Sequence, residues 1–360
     1  MNPELHPIPD ELERRKLFYW LKKASSYTAY ERVGRYFKVW VDEFKTLYDD
    51  SQRHPDPERG ALMATDKIVT VMSCYAAFEE ALKRLRNGSK RPFVWLGQTG
   101  HFSEAGRAPG YWLEATSRGE WGDNVIEEMF SHHWPAVKQA LSELSSAWGE
   151  VGVVLQNRHT DLPAEIATAN DADRCCKFPP GELPEVPISA RSVLVQTGDI
   201  VPCFGIWEPV KADLSPGFVG LFKKPVVPGS GELELDGCMN YLHQGSAAPT
   251  IWMEDDGPRN EGRPTVWHLI WEDTRYRDGV VPDEERSYPF FNVTEEATAA
   301  VVLGGSSAGE APIYAQSGDM ASKSGSWAAM DDLHGRTVVK VGEVLPMHQG
   351  RQVRWVWVSV

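Results

Sequence analysis

Apolar residues recur every three or four positions through much of the first 150 residues, and then the period shortens. Tyr30, Val33, Tyr36, Phe37, Trp40, Phe44 and Leu47 form one stripe, a spacing that puts them on a single helix face. Leu62, Ile68, Val71, Met72, Tyr75, Phe78 and Leu82 form a second. It predicts a helix from about Glu58 to Arg86, stopped by Asn87-Gly88. A third stripe, from Val125 through Met129, Trp134, Val137, Leu141 and Leu144 to Trp148, predicts a helix over about Asp123 to Trp148. Ahead of these, Pro9-Asp10 opens a helix that runs through Leu21. The aromatic, Gly-rich stretch 89–120 reads as irregular. Four long helices with short links predict an antiparallel helical bundle over residues 1–150.

Residues 151–188 read as a mixed connector with one short helix near Pro163–Ala169. It ends in the Pro-rich run from Phe178 to Pro187, a domain boundary. From 189 onward, short β-branched and aromatic runs are punctuated by Gly, Pro and Asp, the pattern of an all-β region. The expected fold is therefore α+β: the helical bundle, then a first β unit with insertions over 189–292 and a compact second one over 310–360. Each would be a small, SH3-like unit.

The two β units are related in sequence. Gln196-Thr-Gly-Asp-Ile-Val-Pro-Cys-Phe-Gly-Ile-Trp207 returns, degraded, as Gln316-Ser-Gly-Asp-Met-Ala-Ser-Lys-Ser-Gly-Ser-Trp327. Gln196, Gly198, Asp199, Gly205 and Trp207 match Gln316, Gly318, Asp319, Gly325 and Trp327 at one offset of about 120 residues. Gly245 and Pro249 are echoed by Gly342 and Pro346, and each copy closes on a Trp-rich run, Val266 to Trp271 and Val353 to Trp357. Gly-Asp marks a turn after a short strand. The second Gly, two residues before Trp, suits a bulge or a close backbone approach. Trp207 and Trp327 then supply a large apolar body with an N–H that needs a partner. Buried, they would build a scaffold; exposed, they would line a groove for peptide or cell-wall glycan.

Composition narrows the function. The net charge is −14, and nearly all of the negative excess falls after residue 150, which argues against a nucleic-acid-binding surface. Five cysteines, Cys74, Cys175, Cys176, Cys203 and Cys238, lack metal-ligand spacing. The start of the chain has no secretory signal pattern and no apolar run is long enough to span a membrane, so the reading is a cytoplasmic protein with reduced thiols. No nucleotide-binding loop occurs. His132-His133 falls in the middle of a predicted helix, where neighbours point about 100° apart and do not face one metal. His101, His243, His268, His334 and His348 are scattered. No catalytic residue, cofactor or metal site is expected, and an enzyme is the alternative reading.

Several motifs carry a resemblance. Glu13-Arg14-Arg15-Lys16 with Tyr27-Thr-Ala-Tyr-Glu-Arg32, the Val201–Trp207 run, Gly237-Cys-Met-Asn-Tyr-Leu242 and Trp271-Glu-Asp-Thr-Arg-Tyr-Arg-Asp-Gly279 resemble the bacterial immunity proteins catalogued as immunity protein 71 and immunity protein 72. The C-terminal repeat resembles a Gly-x-Trp module of proteins from the same secretion-linked loci. That module normally carries Cys-Pro ahead of its Gly-x-Trp, whereas Pro202-Cys203 and Ser322-Lys323 stand here. The resemblance implies a non-enzymatic antidote from a polymorphic-toxin or type VI secretion system, a determinant of bacterial competition. Its partner would be one cognate toxin domain, with neither nucleic acid nor membrane bound, and a homo-oligomer is left open. A cytosol-acting toxin such as a nuclease has a basic active surface, which an acidic antidote complements. The candidate docking residues are Glu254, Asp255, Asp256, Asp283, Glu284 and Glu285, with Trp252 as an aromatic anchor.

Overall fold

A computed structural model describes residues 8–54, 63, 65–94, 101–118, 132–156, 168–188, 193–211, 233–251, 263–292, 313–329 and 336–359. Helices precede antiparallel sheets, so the chain is α+β. Its internal contacts divide it into two compact units, each gathered from separated stretches. One comprises Met1–Ser26, Leu85–Gly97 and Glu150–Pro282; the other comprises Tyr27–Arg84, Gln98–Gly149 and Asp283–Val360.

In the first unit, helix α1 (Glu11–Ala24) opens on a capping box. Asp10 accepts the amide of Glu13 at 2.9 Å, and Glu13 accepts that of Asp10 at 2.8 Å, which satisfies two amides that the helix itself leaves free. Acidic Glu11 and Glu13 at its start and Lys22 and Lys23 at its end complement the helix dipole. Its buried face carries Leu17, Phe18, Trp20 and Leu21. Arg14 binds Glu208 through two parallel bonds of 2.9 and 3.0 Å, and Lys23 forms a buried pair with Glu150.

Among the described residues, four strands belong to this unit: β1 (Leu194–Gln196), β2 (Gly205–Val210), β3 (Asn240–Leu242) and β4 (Val266–Glu272). They form one antiparallel sheet in the order β1-β4-β2-β3. Val195, Trp207, Leu242, Trp267 and Leu269 pack into its core.

The second unit contains α2 (Tyr27–Gln52) and most of α3 (Thr65–Arg86). With them go the short α4 (Phe102–Ala105), α5 (Arg107–Arg118) and α6 (Trp134–Gly149). Every member of the α2 stripe is fully buried. Phe37 meets Tyr75, Phe78 and Trp148 edge-on, the geometry that ring quadrupoles favour. Its sheet comprises β5 (Tyr314–Gln316), β6 (Gly325–Ala329), β7 (Arg336–Val339) and β8 (Arg354–Ser359), in the order β5-β8-β6-β7. Arg354 reaches the fully buried Glu143 of α6 at 2.8 Å.

The two sheets share one strand order and the same bonding detail. Register shifts fall between Ile206 and Trp207 in one and between Ser326 and Trp327 in the other. The amide of Gly198 donates to Ala248 O, and that of Gly318 to Leu345 O, both at 2.8 Å. Trp267 Nε1 donates to Pro249 O at 2.8 Å and Trp355 Nε1 to Pro346 O at 3.0 Å.

Two expectations are corrected. Residues 102–118 are helical rather than irregular. Pro109 stands in the first turn of α5, where its missing N–H costs nothing, and Ala108, Trp112 and Ala115 are buried on one face. His132 and His133 lie in the turn before α6 and not within a helix; the upstream part of the expected helix, 123–131, lies outside the described residues. A seven-residue helix, α7 (Ala169–Cys175), starts after Thr168, which caps it; most of the stretch expected to hold a short helix, 163–167, is outside the described residues.

Candidate functional site

The described part of the acidic surface is a single 3₁₀ turn, Asp283–Ser287. Its three carboxylates do different things. Asp283 and Glu284 are exposed, and Asp283 pairs with Arg286 at 2.8 Å. Glu285 is 1% exposed, and its Oε2 accepts the amide of Thr28 at 3.1 Å in the first turn of α2. A carboxylate there satisfies an unpaired amide and meets the positive end of the helix dipole. Glu285 is thus removed from the docking surface on which the sequence placed it, because its charge is already matched internally. Arg32 then secures the chain that follows. Its Nη2 donates to Phe291 O at 2.8 Å and its guanidinium lies 4.8 Å from the Phe290 ring centroid. The result is a turn tied to α2 through Glu285 and, just past its end, through Phe290 and Phe291, with Asp283 and Glu284 facing solvent. Trp252, Glu254, Asp255 and Asp256 lie outside the described residues.

The repeat residues are structural. Trp207 and Trp327 are both fully buried, so neither indole offers a surface to peptide or glycan. Trp327 Nε1 donates to Lys323 O at 3.2 Å. Cys203 occupies the matching position ahead of Trp207, and among the described residues Trp207 Nε1 has no acceptor. Gly198 and Gly318 have φ of 89° and 99°, the left-handed turn that the Gly-Asp dipeptide foretells. Asp199 and Asp319 close these turns by donating their amides to Gln196 O and Gln316 O. Gly205 begins β2 so close to β4 that an added Cβ would lie 2.1 Å from Trp271 O; its counterpart Gly325 begins β6 at φ 140°.

A site that sequence reasoning missed stands at the exit of β4, in the first unit. Asp273 is buried, with Arg275 bound to both its oxygens at 2.9 and 2.7 Å and Lys90 Nζ at 3.2 Å. Tyr241 donates its hydroxyl to the same carboxylate at 3.0 Å. Burial works to raise the Asp273 carboxyl. The Arg275 and Lys90 charges, with the Arg275 and Tyr241 hydrogen bonds, outweigh it and hold the group below its ordinary value. Arg275 also donates to Lys22 O and Ser25 O at the end of α1, the negative end of a helix. Lys90 lies 4.0 Å from the Tyr276 ring centroid. A cleft of about 250 Å³ adjoins the cluster, lined by Lys90, Cys203, Phe204, Glu272, Asp273 and Arg277 among others. The only early signal was the charged run Trp271–Gly279 itself.

The arrangement holds charge in place and does not activate a nucleophile. Burial and the Glu272 charge push the Cys203 thiol up to about 11, so it is protonated at neutral pH. Burial pushes Cys176 up to about 12. His243 is buried and held down to about 4, despite its 2.8 Å contact with Val154 O. All five cysteines are free thiols. Among the described residues, no helix is long and apolar enough to cross a membrane.

Comparison with known families defines the class. Residues 8–164 match the model of Immunity protein 71, and residues 187–289 match that of Immunity protein 72. The chain belongs to the immunity proteins of the polymorphic-toxin type, a class that acts in toxin neutralisation and whose members are typically binders rather than enzymes. No curated protein and no solved structure matches it.

Proposed function

We propose that this chain binds one cognate toxin domain in the cytoplasm and covers its active surface, and that the toxin is a basic, cytosol-acting enzyme of the nuclease class delivered by a type VI or related secretion route. The observation that carries this reading is the fixed turn at Asp283–Ser287, which holds Asp283 and Glu284 in solvent on a protein of net charge −14. Nuclease surfaces are basic because they meet phosphate. Opposed fields accelerate encounter and fix orientation. Trp252, Glu254, Asp255 and Asp256 are further candidates for contact with the toxin, on their charge and aromatic character in the sequence.

The test is co-expression with the product of the neighbouring reading frame. The neighbour alone should stop growth, and this chain should bind it and restore growth. An Asp283→Lys/Glu284→Lys variant should associate more slowly, with a flatter dependence on salt. A harmless neighbour, or rescue without stable binding, refutes neutralisation by blocking. Unchanged association kinetics in the variant refute the acidic turn as the docking surface.

A further inference from the structure

Within the second unit, α2 and α6 pack against each other along their length. Phe37 in the first half of α2 meets Trp148 at the end of α6, so the two run antiparallel and the end of α2 reaches the start of α6. Three metal-binding side chains meet there. Asp50 lies in the last turn of α2, and His132 and His133 form the turn that enters α6. Because that turn is not helical, neighbouring histidines that would diverge on a helix both face Asp50.

The distances point to a shared ion. His132 Nε2 stands 3.4 Å and His133 Nε2 3.9 Å from the same oxygen, Asp50 Oδ2. One ligand atom from each residue lies within 4.8 Å of the other two. An N–H···O hydrogen bond is shorter, about 2.7–3.2 Å. Two donors each about 2.0–2.1 Å from one tetrahedral ion stand about 3.4 Å apart, and further apart at wider angles. The imidazoles are 4.2 Å apart between centroids. The side chains are 36%, 57% and 17% exposed for Asp50, His132 and His133, which leaves a path for the ion.

Charge favours a cation at the same place. Asp49 and Asp50 sit in the last turn of α2, where the helix dipole is negative, and that turn contains no basic residue. Arg53, just beyond it, is exposed. Among the described residues this is the one group of three such ligands.

We propose that Asp50, His132 and His133 form a binding site for a divalent transition metal of the zinc class, which fastens the end of α2 to the start of α6. Two imidazoles with one carboxylate select zinc, cobalt, nickel or copper over magnesium and calcium. Three protein ligands leave a coordination position for water or for a side chain of a partner.

The experiment uses the untagged full-length chain. Cobalt(II) is titrated by visible absorption and zinc by calorimetry, with magnesium as the control. We expect saturation at about one ion per chain, tetrahedral cobalt bands, a higher melting temperature with zinc and no competition by magnesium. Asp50→Asn and His133→Ala should each weaken binding at least about tenfold. His132 is more than half exposed, so His132→Ala keeps the fold and decides the matter if the other variants do not fold. The proposal is overturned by the absence of saturable binding, by magnesium competing equally, or by unchanged affinity in a folded His132→Ala protein. This outcome is independent of toxin binding.

Discussion

The repeat implies that Gly205 is demanded by packing, while Gly198 is demanded by backbone conformation, and the two demands differ in size. A Cβ at Gly205 would stand 2.1 Å from Trp271 O and 3.1 Å from Glu272 Cα. Ordinary contacts begin near about 3.5 Å, so the overlap exceeds about 1 Å, and it is with backbone that no rotamer change can clear. β2 and β4 must separate where Gly205 opposes Glu272 and Ile206 opposes Trp271, and the Asp273 N–Phe204 O bond of 2.9 Å beside them is stretched. Overpacking costs about 1–3 kcal/mol, and one or two weakened backbone bonds add about 1 kcal/mol each. Gly205→Ala should therefore destabilise the first unit by roughly 2–5 kcal/mol. For a unit of this size that is about 4–20 °C in melting temperature. Gly198→Ala meets open space at φ 89° and should cost only about 1–2 kcal/mol. Urea unfolding followed by tryptophan fluorescence reads both, since Trp207 and Trp267 are buried in this core. The reasoning fails if Gly205→Ala melts within about 2 °C of the parent, or if Gly198→Ala costs more.

Three further outcomes are expected. Asp273→Asn leaves Lys90 and Arg275 without their counter-charge and should cost about 3–5 kcal/mol by chemical denaturation. Because the folded Asp273 carboxyl is held below its unfolded value, its contribution is present at neutral pH and is lost as pH falls through the folded value. Acid unfolding of the variant should be flatter than that of the parent in that range. His243 works at milder pH: held down to about 4 when folded, it takes up a proton more readily unfolded. The parent should lose stability as pH falls from about 6.5 to about 4, by roughly 3 kcal/mol if this group acts alone, and a folded His243→Gln protein should lose less over that window. Glu285→Gln should lower the melting temperature by the equivalent of about 1 kcal/mol through its weakened bond to the start of α2. A drop for Glu285→Gln no larger than for a neutral substitution at an exposed site of the same turn would mean that the turn is not anchored as its contacts indicate.

Much of the architecture was legible in local sequence. Pro9-Asp10 followed by Glu13 is a helix start because the bonds it needs lie within one turn. The α2 stripe predicted burial because a 3.6-residue period aligns those side chains whatever they pack against. The matched Gly-Asp and Gly-x-Trp positions predicted turns and bulges, which are backbone requirements of a few adjacent residues. Helix α5 was hidden because Gly106, Pro109 and Gly110 read as breakers, yet they fall at or near its first turn, where little is lost.

What the sequence by itself determined, then, are features whose partners lie a few residues away: the α+β succession, the helix stripes and caps, the turn at Gly198 and the close approach at Gly205. Tertiary structure alone decided which charges are available. Glu284 and Glu285 are neighbours of the same chemistry, and only the position of the Thr28 amide makes one a surface charge and the other an internal cap. Asp273 resembles any acidic loop residue until Lys90 and Tyr241, from distant parts of the chain, close around it. His132 and His133 would diverge on a helix and converge on Asp50 in a turn. In each case the deciding partner is dozens to hundreds of residues away along the chain, and electrostatic energy depends on distance in space.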